Sequence, residues 1–209
     1  MVKNQLPKWL TWGREIQAIS QTGLAYVENE FDIQRYQRLQ EISAEIISEY
    51  TGLGVSELVQ DFNAQMGYAT PKVDLRGAVF RDRKLLMVNE KADGSWAMPG
   101  GWADVGDVPS SGTEREILEE TGIIARAIKL IGVYDNNRVG DLRIHHAFKL
   151  VFLCEYLEGE PTPSNETLDV QYFERNEIPD QLLGTRTTVR QIEDAYAALA
   201  DNKIAAVFD

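Results

Sequence analysis

The stretch PGGWADVGDVPSSGTEREILEETGI, Pro99 to Ile123, decides how the rest of the chain is read. Its second half predicts one helix from Pro109 to Thr121, because proline suits a first turn and Gly122 supplies the stop. On that helix Glu116, Glu119 and Glu120 stand at i, i+3 and i+4, so the three carboxylates project from one face. Like charges so close repel. They are tolerated on a solvated face and favoured where a hard divalent cation sits among them, since Mg²⁺ takes oxygen ligands and keeps waters and phosphate oxygens. Just upstream, Gly100 and Gly101 let the backbone approach a ligand with no Cβ in the way. A loop of this kind running into the early part of a helix suits a phosphate or a metal-bound phosphate. Arg115, beside Glu116 and four residues before Glu119, can hold a carboxylate in a fixed direction.

Outward from this segment the pattern is strand and turn. Val73–Phe80 and Lys84–Glu90 flank Arg81, Asp82 and Arg83 as a hairpin, and further strands are predicted in AIKLIGVYD, LRIHHAFKLVFLCEYL and LDVQYFE. His145 and His146 alternate on the second of these, so one of them can face a site. Cys154 reads as a buried thiol, Trp96 as core, and TTVRQIEDAYAALADN as a closing helix. Strands and helices mix without regular βαβ alternation, which points to an α+β or sandwich-like domain.

Before Met66 the texture is helical. Trp9, Trp12, Ile16 and Ile19 form one face of a helix over Leu6 to Thr22, ended by Gly23. A second helix after Phe31 and Asp32 carries Tyr36, Leu39, Ile42, Ile46 and Ile47 inward and closes at Thr51 and Gly52; a third runs from an N-cap at Ser56 to Gln65. Residues 1–66 are therefore expected to form a helical domain for packing or dimerisation, and 67–209 the main domain. At about 150 residues per domain, 209 residues suit one ordinary domain with a small addition.

With 44% apolar and 26% charged residues the chain is a folded protein, not a disordered or collagen-like one. One cysteine excludes an internal disulfide, and the first residues lack the apolar run of a secretory signal, so a cytoplasmic protein without membrane partners is expected. A net charge of -12, shared by the helical segment, excludes a duplex-DNA footprint. A polyanionic ligand needs a cation between it and the protein.

The Pro99–Ile123 segment resembles the signature of the Nudix hydrolases, G-x5-E-x7-R-E-U-x-E-E-x-G-U with U a bulky apolar residue. Gly101, Arg115, Glu116, Ile117, Glu119, Glu120, Gly122 and Ile123 match in register, and Asp107 stands where the family usually has Glu. The resemblance implies an α/β/α sandwich with a mixed sheet, following a small all-α domain. It also implies Mg²⁺ or Mn²⁺ at Glu116, Glu119 and Glu120 with the Gly100 carbonyl, and Arg115 as the residue that orients a glutamate. Gly101, Asp107 and His145 are the substrate-binding candidates; the shorter Asp107 is expected to act through water or to cap the following helix. Glu166, six residues before Tyr172, matches a position where some members place a metal ligand or general base, with Glu158, Glu160 and Asp169 as competitors.

The N-terminal W-x2-W, Q-T-G-L-x-Y and R-Y-x-x-L-x-E-I stretches resemble the helical domain of Nudix members close to CDP-choline pyrophosphatase. The activity implied is a metal-dependent pyrophosphohydrolase that splits a nucleoside diphosphate linked to X into a nucleoside monophosphate and phospho-X, with Glu119, Glu120, Arg115 and Glu166 in the catalytic set. ADP-ribose, an RNA end, or a nucleotide-sensing module without turnover are the alternatives. A homodimer through the N-terminal helices is expected.

Overall fold

The computed structural model describes residues 6–136, 144–180, 182 and 186–209. Two compact units emerge, Met1–Pro71 with Leu142–His146, and Lys72–Asp141 with Ala147–Asp209.

The first unit holds α1 (Lys8–Tyr26), α2 (Glu30–Thr51) and α3 (Val55–Asn63) around Leu10, Ala44, Ile47, Leu58 and Phe62. Asn29 caps α2 by accepting from the Phe31 amide, and Gly52, left-handed at φ 74°, ends it where the sequence predicts. The α1 prediction needs one correction. Gly23 does not end the helix, which continues to Tyr26. A Cβ on Gly23 would lie 2.4 Å from the Tyr36 ring, so the glycine is there to let α2 come close. In the tryptophan–isoleucine stripe Trp12 and Ile19 are 55% and 52% exposed. The buried side of α1 combines Leu10 with small and polar residues: the Ser43 hydroxyl donates to the Gly13 carbonyl at 2.8 Å and the Ser20 hydroxyl to the Tyr36 carbonyl at 2.6 Å. Small side chains permit the close approach, and their hydroxyls find partners there. In α3 the cap is Gly54 without a side-chain bond, and Ser56 lies inside the helix.

Residues 144–146 belong to this unit, although the sequence suggests a strand there; Leu142 and Arg143, the start of that predicted strand, lie outside the described residues. The Arg14 guanidinium donates to the carbonyls of Ile144 at 2.9 Å and His145 at 3.3 Å, taking acceptors that a strand ladder would otherwise use.

The second unit is one seven-stranded mixed sheet built from β1 (Lys72–Arg81), β2 (Lys84–Glu90), β3 (Trp96–Ala97), β4 (Ile124–Asp135), β5 (Ala147–Glu158), β6 (Thr167–Phe173) and β7 (Val207–Phe208). The order is β3-β2-β1-β5-β4-β7 with β6 on β2, and β1 runs parallel to β5. Helix α4 (Pro109–Thr121) covers one face through Ile117, against Val79, Leu86 and Val88. On the other face α5 (Val189–Ala200) lays Ile192, Ala195 and Ala198 on Ala78, Met87 and Val151, and its Thr188–Gln191 capping box fixes its start. The architecture is the α+β, α/β/α sandwich implied by the resemblance. Cys154 is buried in the α4-side core, where burial pushes its thiol up to about 12. Among the described residues no helix is long and apolar enough to cross a membrane.

The predicted hairpin closes only at its tip. β1 and β2 pair at Phe80–Leu85 and Arg81–Lys84, around a turn with positive φ at both Asp82 and Arg83. Away from the tip, β1 exchanges bonds with the Pro99–Ala103 segment instead: Gly77 donates to Pro99, Leu75 to Gly101, and Ala103 to Val73. The glycine loop is thus held as an extra run of backbone along β1.

Replacing Gly23 by alanine would ordinarily gain about 1 kcal/mol of helix propensity. Here the methyl group meets the Tyr36 ring, and overpacking of about 1–3 kcal/mol outweighs that gain. Gly23→Ala is expected to lower the urea midpoint; a higher midpoint would show that α1 and α2 have room to spare.

Candidate active site

Three consequences of helix geometry set the carboxylates of α4. At 100° per residue Glu120 lies about 40° from Glu116 on one side and Glu119 about 60° away on the other. Glu120 therefore turns into the protein at 6% exposure, Glu116 is largely covered, and Glu119 stays mostly in solvent. The sequence reading of one shared face holds only in this graded form.

Glu120 meets the glycine loop directly. The Gly100 amide donates to its Oε2 at 2.8 Å. Gly100 has φ 142°, and a Cβ there would sit 2.0 Å from the Leu75 carbonyl oxygen, so only glycine fits. At Gly101 a Cβ would lie 2.7 Å from a Glu116 carboxylate oxygen, so this carboxylate also rests on the loop backbone. Burial lifts the Glu120 carboxyl to about 7 against the pull of Arg76 and the Gly100 amide. Burial likewise raises Glu116 and Glu90.

Arg115 gathers four acids: Glu116 at 2.8 Å, Glu119 at 3.0 Å, Asp107 at 3.1 Å and Asp104 at 3.3 Å. Asp107 is not the helix cap, which is Val108 without a side-chain bond. Its Oδ2 instead accepts from the Asp104 amide at 3.1 Å and from Arg115, and these bonds hold its carboxyl below the usual range. Asp107 thereby ties the loop before α4 to the arginine. Among the described residues no three acidic, imidazole or thiol groups stand close enough together to hold a metal ion as they are.

Several charged residues near this cluster escape the sequence reading. Asp74 and Arg76 alternate on β1 and are both buried; Arg76 Nε donates to Asp74 at 2.8 Å and Nη1 to the Met98 carbonyl at 3.1 Å. Lys149, directly opposite Asp74 in the β1–β5 register, is 1% exposed and lies 3.5 Å from Asp74. Glu90 ends β2, buried, with Arg186 at 2.9 Å and Arg76 at 3.9 Å. The available signal was the D-x-R alternation inside an apolar strand, where charge is costly unless paired.

Glu166 precedes β6. Its neighbour Thr167 donates from Oγ1 to the Glu120 carbonyl at 3.3 Å, and the Glu166 charge raises the Glu90 carboxyl further. The structure therefore brings Glu166 to the edge of the Glu90–Glu120 cluster. Glu160 instead pairs with Arg81 at 3.2 Å, and Asp169 bonds Gln171 and the Val170 amide. His145 sits in the helical unit with its Nε2 3.0 Å from Asp61.

Comparison with known proteins bears on this constellation. The NUDIX domain model matches residues 72–194, more than half of the chain and all of the loop, helix and strands just described. The chain belongs to the Nudix family. It is a hydrolase of pyrophosphate bonds, and Nudix hydrolases generally use divalent metal ions. Residues 7–62 match a second model, "UDP-X-like, N-terminal oligomerisation domain". Over its whole length this Nudix chain is 32% identical to the whole of "Putative ADP-ribose pyrophosphatase YjhB" of Bacillus subtilis (strain 168). A crystal structure of UDP-X diphosphatase is similar at 31% identity and TM-score 0.62, over 97% of this chain and 98% of that one. An ADP-ribose pyrophosphatase from Streptococcus suis 89-1591 matches at 30% identity and TM-score 0.61, over 67% of this chain and all of its own.

The raised Glu120 carboxyl fixes the sign of a pH effect. Its folded pKa of about 7 exceeds the ordinary 4.5, so its contribution to stability is full below pH 4.5 and is lost as pH rises through 7. That shift corresponds to about 3 kcal/mol. With chelator present, denaturation is expected to become easier from pH 5 to 8, and Glu120→Gln to flatten that slope. An equal slope in the variant would place the titration elsewhere.

Proposed function

We propose that this Nudix hydrolase is a metal-dependent pyrophosphohydrolase acting on a nucleoside diphosphate linked to a second moiety, releasing a nucleoside monophosphate and a phosphorylated X. The observation that carries the reading is the pair Glu116 and Glu120, two largely desolvated carboxylates resting on the Gly100–Gly101 backbone. Carboxylates pushed toward protonation by burial gain most from a cation beside them, and a glycine backbone leaves space for phosphate oxygens.

Mg²⁺ or Mn²⁺ would suit these oxygen donors, and Glu116, Glu120, Glu119 and the Gly100 carbonyl are the groups that would hold it. When bound, the ion neutralises phosphate charge and lowers the pKa of an attacking water. Arg115 positions Glu116 and Glu119, and Asp107 steadies Arg115. Glu166, whose charge reaches Glu90 and whose neighbour Thr167 bonds the Glu120 carbonyl, would accept the proton of the water. Gly101 offers backbone to the substrate, while a substrate role for His145 requires it to leave Asp61.

For the substrate, CDP-choline and ADP-ribose share the required diphosphate bridge. The names of the Bacillus and Streptococcus relatives favour ADP-ribose, and the UDP-X-like helical domain favours a nucleoside diphosphate carrying another X. Incubation with CDP-choline, ADP-ribose and a short RNA, each with Mg²⁺ and with Mn²⁺, followed by product analysis, separates these. Release of a nucleoside monophosphate from neither CDP-choline nor ADP-ribose would overturn the reading. Glu120→Gln keeps the shape and removes the charge, so turnover at saturating metal is expected to drop at least about a hundredfold. Activity within about threefold of wild type would remove Glu120 from the metal set.

The same reading makes the protein a homodimer through its helical unit. Trp12, Ile19, Tyr26 and Phe31 stay exposed on the helical unit and offer an apolar surface to a second copy. Light scattering of the full chain at micromolar concentration is expected to give twice the 23.6 kDa protomer mass, and Trp12→Glu with Ile19→Glu to shift it toward one. A monomeric wild type would exclude the dimer.

A further inference from the structure

Three arginines surround the carboxylate cluster, and they differ in what their donors do. Arg115 is shared among four acids, and Arg76 spends Nε, Nη1 and Nη2 on Asp74 and the Met98 carbonyl. Arg186 forms ion pairs with Glu90 at 2.9 Å and Asp93 at 3.5 Å, yet its side chain donates no hydrogen bond to a described residue. The 2.9 Å contact with Glu90 brings charge to charge, yet the buried Nη1 makes no hydrogen bond to a described residue.

A guanidinium carries five N–H donors, and leaving them unused in a covered site is costly. The backbone beneath Arg186 is nevertheless fastened on both sides. Lys149 donates to the Arg186 carbonyl at 2.6 Å, and the Met98 amide donates to the Thr187 hydroxyl at 2.8 Å, just before the capping box of α5. A side chain held at its root with open donors and 20% exposure is set for an acceptor that arrives from outside.

Position and charge say which acceptor. Glu90 connects Arg186 to the catalytic carboxylates, for it also faces Arg76 and interacts with Glu120 and Glu166. The protein bears a net charge of -12, so a dianionic diphosphate gains no attraction from the surface at large and needs cations within the site. A planar guanidinium matches two phosphate oxygens at once. We propose that Arg186 anchors the diphosphate of the substrate, its guanidinium taking non-bridging phosphate oxygens while Lys149 and Glu90 keep it at the mouth of the carboxylate cluster. This assignment rests on the pyrophosphohydrolase reading and adds to it a binding residue outside the glycine–carboxylate segment.

The competing role is structural, with Arg186 serving only to neutralise Glu90. Arg186→Gln, Arg186→Lys and the double variant Arg186→Gln with Glu90→Gln separate the two. Each is measured for kcat and KM on ADP-ribose and CDP-choline, and for calorimetric binding of methylenediphosphonate, a diphosphate mimic that is not hydrolysed. The expected result for Arg186→Gln is a KM and a diphosphonate Kd raised at least about tenfold, with kcat within about threefold. Lysine restores the charge without the fork and recovers only part of the binding. Removing the Glu90 charge as well does not restore it.

A diphosphonate Kd within twofold of wild type in Arg186→Gln, or recovery in the double variant, overturns the proposal. Where Arg186→Gln no longer unfolds cooperatively, Arg186→Lys decides, an unchanged Kd counting against the assignment. Failure of the wild type to hydrolyse either substrate sinks the pyrophosphohydrolase reading, whereas diphosphonate binding reports on Arg186 independently of turnover.

Discussion

The hydrogen bond from the Gly100 amide to Glu120 joins two parts of the chain that are held by different forces. Gly100 is fixed by the backbone bonds of its neighbours to β1, with Pro99 accepting from Gly77 and Gly101 from Leu75. Glu120 is fixed by α4, whose Ile117 is anchored in the core against Val79 and Leu86. Because β1 carries the loop on its edge and the helix on its face, one strand sets both partners. The backbone at Gly100 tolerates no side chain, since the Leu75 carbonyl occupies the space a Cβ would need. The whole carboxylate arrangement follows from that contact.

Holding carboxylates in this way costs solvation. Glu90, Glu116 and Glu120 are all raised by burial, and they also repel one another. The fold answers with cations drawn from distant parts of the sequence: Arg76 from β1, Arg115 from α4 itself, and Arg186 from the approach to α5. Lys149 balances Asp74 across the parallel β1–β5 pair, where the register sets the two opposite each other. Buried ion pairs of this kind contribute little net stability, because desolvation consumes most of the Coulomb gain. Their value lies in fixing where the charges stand.

The helical unit sets small residues beside its apolar core of Leu10, Ala44, Ile47, Leu58 and Phe62. Gly13 and Gly23 leave room for Ile47 and Tyr36, the Ser20 and Ser43 hydroxyls bond backbone carbonyls, and Trp12 and Ile19 look outward. Close helix approach is favoured by small residues, and it leaves little room for tryptophan. Hydrophobic periodicity placed α1, but close packing against Tyr36 carried the helix past Gly23, where the sequence suggested a stop. The same competition moved residues 144–146 out of the strand pattern, because Arg14 claims their carbonyls.

Much of the protein was legible in one dimension. The limits of α4 follow from Pro109 and Gly122, the α2 stop at Gly52 follows from local backbone preference, and the Gly101-to-Ile123 spacing carries the Nudix identity. These features depend on residues within one or two turns of each other, so the sequence alone determines them. The two-residue strands β3 and β7 are too short to show a period, and the opening of the hairpin to admit Pro99–Ala103 depends on pairing across twenty residues or more. The charge partners of the site lie further apart still. Which glutamate is buried, which arginine is spent and which retains free donors is decided only when β1, β2, α4 and the segment before α5 come together, since desolvation and ion pairing are properties of the assembled neighbourhood and not of any stretch of chain.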